Sequence, residues 1–254
     1  LGPGCDISVE LNNPFEPDFN KILEEATFFK ELLGQDRVVI KVPHTGPVNA
    51  DNVGQLLTGD GRLDRRYWQP ATEDALRGHN LTLKLTEAGF RINYTLMFEG
   101  YQTQLALQAR PYFINSFIRH RLMQSEKMVA LLARVDGGDV DAAAELSDYM
   151  LSTDYLASTD AGLDPEEAVA RARTIVAYRH ITDDEGSDGL DSVRHNLRLL
   201  RNANLPDTRL IICSMEGDHN YPDIDNLLAS DEFSDMADRV VVMNAGRIEQ
   251  VGTP

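Results

Sequence analysis

The chain has 254 residues, 42% of them hydrophobic, and a formal net charge of −17. Its acids are spread along the sequence rather than gathered in a tail. Nucleic-acid backbones and anionic membrane surfaces both need clustered cations, so neither is an expected partner. No apolar run reaches the length of a membrane span, and the two cysteines, Cys5 and Cys213, have neither ligand spacing nor a disulfide framework. Together these features lead us to expect a soluble protein of a reducing, cytoplasmic setting. Many acids with few lysines also fit a salt-rich habitat.

In chain order, residues 6–11 read as a strand with Ile7, Val9 and Leu11 on one face and Asp6, Ser8 and Glu10 on the other. Pro14 and Pro17 introduce a helix whose apolar positions Phe19, Ile22, Leu23, Ala26, Phe29 and Leu33 recur at three and four, with Gly34 as its C-cap. The run Arg37-Val38-Val39-Ile40-Lys41-Val42-Pro43-His44-Thr45 is a β-branched strand with a lysine inside it. Only five of the 24 basic residues are lysines, and Lys41 is the one with two apolar residues on each side. An ammonium buried there without a partner would cost several kcal/mol or lose its proton. Lys41 therefore either snorkels to the strand end and pairs with a carboxylate, or stands as a neutral amine able to attack a ketone.

Residues 51–79 are less regular, with a turn at Thr58-Gly59-Asp60-Gly61 and a polar, aromatic loop from Arg62 to Trp68, where packing accounts for Trp68 better than ligand stacking. A short helix to Ala88 leads to a strand over 91–98, with Asn93, Thr95 and Met97 sharing a face. A helix over 101–109, a strand over 112–118 and a helix over 119–134 follow. Residues 139–180 read as helical in at least two pieces, the second started by Asp164-Pro165-Glu166-Glu167. This block exceeds what one crossover needs, so it is expected to be an inserted helical subregion, a lid or an oligomer contact. An exposed acidic loop at 183–189, a helix over 190–203, a strand over 209–214, a helix over 223–236 and a strand over 239–243 complete the chain. Six strands alternating with helices predict a parallel α/β sheet. Eight would close a (β/α)₈ TIM barrel, and six is two short.

At the C-terminal ends of these strands stand Glu10, Lys41, Asn93 with Thr95, Asn115 with Ser116, and Ser214. Each has a structural explanation alone. As a set, an amine, a carboxylate and neutral hydrogen-bonding groups suit Schiff-base aldol chemistry. Ser8-Val-Glu10-Leu, Val39-Ile-Lys41-Val-Pro-His-Thr45, Asn93-Tyr-Thr95-Leu-Met-Phe98 and Ile114-Asn-Ser-Phe117 resemble successive strand motifs of the transaldolase and fructose-6-phosphate aldolase family. The likeness covers most of residues 5–134 and 190–243, continuing weakly through Ile212-Cys-Ser214 to Val240-Val-Val.

The resemblance implies a (β/α)₈ barrel that transfers or cleaves a dihydroxyacetone unit of a sugar or sugar phosphate and uses no metal or other cofactor. Lys41 would be the Schiff-base lysine, Glu10 and Thr95 would hold the catalytic water, and Asn93 would bind substrate hydroxyls, with Asn115, Ser116, Arg121 and Ser214 as further substrate contacts. It also implies a small-molecule sugar partner; the chain is read as a single domain over 1–254 with 139–180 inserted, a block that leaves a homo-oligomer contact open. Three departures stand out. The family's proton-transferring aspartate lies on a first strand, whereas this sequence enters the pattern at the third, so a fragment lacking two strands is expected. The family's Ser-Pro-Phe-x-Gly-Arg reads Asn115-Ser-Phe117-Ile-Arg119-His120 here, followed by Arg121. Its Ser-Phe-Arg reads Ser214-Met215-Glu216, and a carboxylate there repels a dianionic phosphate. The substrate is then expected to carry no phosphate, or to carry it elsewhere.

The alternative is a barrel that has lost catalysis and serves as a sugar-binding or interaction module. Residues 237–254 also resemble a late segment of ABC-transporter ATPases, yet no Gly-x-x-x-x-Gly-Lys-Ser/Thr loop exists, and a strand–turn–strand unit is expected. His219 with Asp218 and Asp223 lacks ligand spacing and reads as a solvated acidic loop.

Overall fold

The computed structural model of the chain describes residues 5–14, 16–34, 36–44, 76–95, 97, 100–153, 155–156, 160–179, 185–214, 220–236, 240–244 and 247–252. The Thr58-Gly59-Asp60-Gly61 turn, Trp68, Phe98, Glu216, Asp218 and His219 lie outside these residues.

Five short strands form one sheet: β1 (Ile7–Glu10), β2 (Val38–Pro43), β3 (Arg91–Thr95), β4 (Phe113–Phe117) and β5 (Arg209–Cys213). All pair in parallel, in the spatial order β1-β2-β3-β4-β5. Between them run α1 (Phe19–Leu33), α2 (Arg77–Glu87), α3 (Gly100–Gln108), α4 (His120–Asp136), α5 (Ala142–Ser152), α6 (Pro165–Tyr178) and α7 (Asp191–Ala203), and α8 (Tyr221–Leu228) follows β5. Crossovers of one hand that always advance in one direction place their helices on the same face of a sheet. The core follows that rule: Val38, Ile40, Val42, Ile92, Tyr94, Ile114 and Leu210 pack against Ile22 and Ala26 of α1, Leu81 and Leu85 of α2, Ala106 and Leu107 of α3 and Leu199 and Leu200 of α7. The sheet residues in that group all have even numbers. By the two-residue period, the odd positions of β2 to β5, with Ser8 and Glu10 of β1, form the opposite face.

The helix boundaries have local causes. Asp18 caps α1 by accepting from the Asn20 backbone N–H (3.0 Å), and the Gly34 N–H ends the helix on the Lys30 carbonyl (3.1 Å). Asp164 caps α6 in the same way, accepting from Glu166 N–H (2.9 Å), with Pro165 at the first helical position. The inserted block thus forms α5 and α6. With α4 they enclose a core of their own, built from Met128, Leu131, Leu132, Leu146, Met150, Leu156, Ala168, Ala172 and Ile175.

Two expectations change. The sixth strand, β6 (Val240–Asn244), does not extend the parallel sheet: it pairs antiparallel with β7 (Arg247–Gly252), as expected of a strand–turn–strand unit. Only two residues separate Asn244 from Arg247, so this pairing closes a minimal loop, whereas joining β5 would need a long crossover. The acidic loop before α7 is not simply solvated. Gly186 and Gly189 are buried, and Asp188 receives two hydrogen bonds from Arg194 (2.8 and 2.5 Å).

Gly189 has φ +72°, and a Cβ there would lie 2.7 Å from Arg119 Cγ and 2.9 Å from Arg119 Cα. Gly138 shares the left-handed conformation (φ +81°) in open space. Gly138→Ala is expected to cost about 1 kcal/mol of backbone strain, and Gly189→Ala about 2–4 kcal/mol because crowding adds to the strain. Chemical denaturation of the two variants side by side checks the difference.

Candidate active site

On the face opposite the helices, the β-ladder sets Glu10 beside Lys41 and Lys41 beside Asn93, while Pro43 pairs with Thr95. Lys41 Nζ lies 3.3 Å from Glu10 Oε2, with 34% of the lysine side chain and 61% of the glutamate side chain exposed. The lysine therefore has the carboxylate partner that its position in a strand demands, and both groups are reachable from solvent. Asn93 and Thr95, one strand further in, are buried.

A directed line of hydrogen bonds crosses this face. The Cys213 thiol donates to Asn115 Oδ1 (3.4 Å), Asn115 Nδ2 to Asn93 Oδ1 (2.6 Å), and Asn93 Nδ2 to Ser8 Oγ (2.8 Å). Asn115 Nδ2 also donates to the Tyr94 carbonyl. Both of its N–H groups and one lone pair are thus engaged within the protein, whereas one N–H and one lone pair of Asn93 have no partner among the described residues. Burial pushes the Cys213 thiol up to about 11, against the pull of the nearby Lys41 ammonium. Cys213 and Ser8 were not singled out as site residues from the sequence, although the odd number of one and the place of the other beside Glu10 were signals available there.

The remaining sequence-derived candidates lie elsewhere. Ser116 follows Asn115 directly and so faces the helices. Its hydroxyl donates to the Ser192 carbonyl (3.3 Å) and accepts from Asn196 Nδ2, both on α7. Ser214 Oγ accepts from Asn220 Nδ2 (2.8 Å), next to the start of α8. Arg121 donates to Asp191 Oδ2 (3.1 Å) at the start of α7. The structure therefore brings Glu10, Lys41, Asn93, Thr95 and Asn115 onto one face and leaves Ser116, Arg121 and Ser214 in junctions between strand ends and helices.

The described strands thus form a one-directional parallel α/β sheet with an amine and a carboxylate in contact on the face opposite its helix-packed core. The model of the transaldolase/fructose-6-phosphate aldolase family matches residues 2–134, more than half of the chain, and the chain belongs to that family. A search of curated proteins gives no match. Membership makes the chain one of a family of aldolases and transferases and supports a small sugar as its partner. Among the described residues no helix is long and apolar enough to cross a membrane.

Three residues beyond Lys41, on the helix side, His44 is fully buried. Its ring meets Tyr94 edge-on at 4.8 Å and His79 of α2 at 6.4 Å between centroids. Neither ring nitrogen of His44 has a hydrogen-bond partner among the described residues, nor does His79 Nδ1. Burial, and then the proximity of His79, lowers the His44 pKa to about 3, and burial lowers that of His79 as well. Because the unfolded chain takes up these protons first, the stability that His44 supplies is complete above its ordinary pKa near 6.5. It is lost as the pH falls from there toward about 3. At pH 5 the loss from His44 alone is expected to reach about 2 kcal/mol. Denaturation at pH 7.5 and pH 5 checks this, and His44→Leu is expected to flatten the difference.

Proposed function

We propose that the protein is a transaldolase-like enzyme in which Lys41 forms a Schiff base with a ketose. The observation that carries this reading is the 3.3 Å contact between Lys41 Nζ and Glu10 Oε2 on the face opposite the helix-packed core. Glu10 takes a proton from the Lys41 ammonium, and the free amine attacks the ketone carbon to give a carbinolamine. The carbonyl oxygen then leaves as water, carrying one amine proton and the proton held by Glu10, and a protonated imine remains. The imine draws in the electrons of the adjacent carbon–carbon bond, so an aldehyde departs and an enamine of the dihydroxyacetone unit stays on Lys41. A water between Glu10 and the Thr95 hydroxyl moves protons in these steps. Asn93 binds substrate hydroxyls through its spare N–H and lone pair, and Asn115 fixes the orientation of Asn93.

We infer further that β1 to β5 are a sector of a (β/α)₈ barrel within one domain spanning residues 1–254, with 139–180 inserted in it. The single direction of strand order and the one-sided helices support the barrel, and the separate core of α4 to α6 supports the insertion. The sequence reading of a cytoplasmic protein belongs to the same proposal.

Incubation with dihydroxyacetone and sodium borohydride is expected to attach the reduced adduct to Lys41, located by peptide mass mapping, and Lys41→Met is expected to abolish it. Glu10→Gln is expected to slow trapping about 10²-fold without loss of fold. Absence of any adduct in the parent protein would favour the second reading, a barrel that binds sugars without catalysis.

A further inference from the structure

Ser8 stands two residues before Glu10 on the same face of β1, and the ladder sets it beside Val39, two residues before Lys41. It is exposed, and its hydroxyl makes one hydrogen bond among the described residues, with Asn93 Nδ2 at 2.8 Å. A hydroxyl carries one proton and two lone pairs, so the direction of that bond decides what Ser8 has left for a ligand. The direction is settled on the far side of the sheet.

Asn115 Nδ2 donates to the Tyr94 carbonyl, a group that can only accept. Turning the Asn115 amide over would set oxygen against oxygen there and take away the acceptor that the Cys213 thiol meets at 3.4 Å. The Asn115 nitrogen is therefore held toward β3, where Asn93 Oδ1 accepts its other N–H at 2.6 Å. Asn93 must then turn its own nitrogen toward β1, and Ser8 Oγ must accept. The Ser8 proton is left with no acceptor among the described residues, one strand away from Lys41 and two residues from Glu10 on its own strand. The residue is a donor by necessity, and solvent reaches it.

We infer, on the basis of the Lys41 reading above, that Ser8 is a further substrate-binding residue whose hydroxyl donates to a hydroxyl oxygen on a carbon flanking the ketone. Once the Lys41 nitrogen has attacked the ketone carbon, the hydroxyls on the two flanking carbons are the polar groups nearest to it. A hydroxyketone gives the Ser8 proton an acceptor, and a plain ketone does not. Ser8 thus selects for the hydroxyl beside the reacting carbon, a group that a ketose and its terminal phosphate ester share. Water satisfies Ser8 in the free protein, so the selection is the modest net worth of one neutral hydrogen bond.

The test is borohydride trapping on the full chain with dihydroxyacetone and with acetone over a concentration series, the Lys41 adduct being quantified by mass mapping. Ser8→Ala is expected to raise the half-maximal dihydroxyacetone concentration about fivefold and that of acetone by less than about twofold. Ser8→Thr, which keeps the hydroxyl, is expected to stay within about twofold of the parent for both ketones. An equal loss with both ketones in Ser8→Ala, or a loss with neither, would overturn the inference, while the adduct itself leaves the Lys41 reading intact. No Lys41 adduct in the parent protein with either ketone would overturn both.

Discussion

The parallel register that sets Glu10 against Lys41 and Lys41 against Asn93 is the constraint from which the polar face follows. A slip of one residue in β2 would send Lys41 among the helices and bring Val42 or Ile40 to the opposite side, because the side-chain period is two. The register is held by the other face. Val38, Ile40 and Val42 are buried against the helices, and exchanging them for Val39, Lys41 and Pro43 would place an ammonium in an apolar core. The same burial that stabilises the sheet therefore delivers the amine to its carboxylate.

Two polar systems are built around the central strands, and they obey opposite rules. On the face that carries Lys41, donors and acceptors are matched one to the next from Cys213 to Ser8. Under α2, His44 and His79 are buried with ring nitrogens unpartnered among the described residues. The first arrangement gives Asn115 and Asn93 a single orientation, since reversing one amide would set donor against donor along the line. The second gives the strand that carries Lys41 a neighbourhood that tolerates imidazole only in its neutral form.

Much of this was legible in the sequence, for reasons that can be named. The strands over 38–43 and 113–117 are β-branched or apolar runs bounded by turn residues, and the inserted helices announce themselves at Asp164-Pro165. The place of Lys41 in a strand left two readings, a carboxylate partner or a neutral amine, and the structure has the carboxylate partner. What misled was proximity along the chain. Asn115 and Ser116 were assigned to one site although neighbours in a strand face opposite ways, and the structure ties Ser116 to α7. Val240–Asn244 read as a sixth parallel strand because an apolar run looks the same in a buried parallel sheet and in one arm of a hairpin. Its partner was decided by the nearness of β7. The pairing of Arg119 with Asp223 joins residues 104 positions apart, and no local pattern announces it.

Helix α4 is shared between two assemblies. It issues directly from β4, and Arg121 in its first turn is clasped to α7, while Met128, Leu131 and Leu132 further along belong to the core formed with α5 and α6. That core has no member in common with the one beneath the sheet. The helical trio is thus a lever whose fulcrum is the first turn of α4: a torque applied to α5 or α6 is delivered through one rigid rod to Arg119 and to the end of β4, two strands away from the lysine.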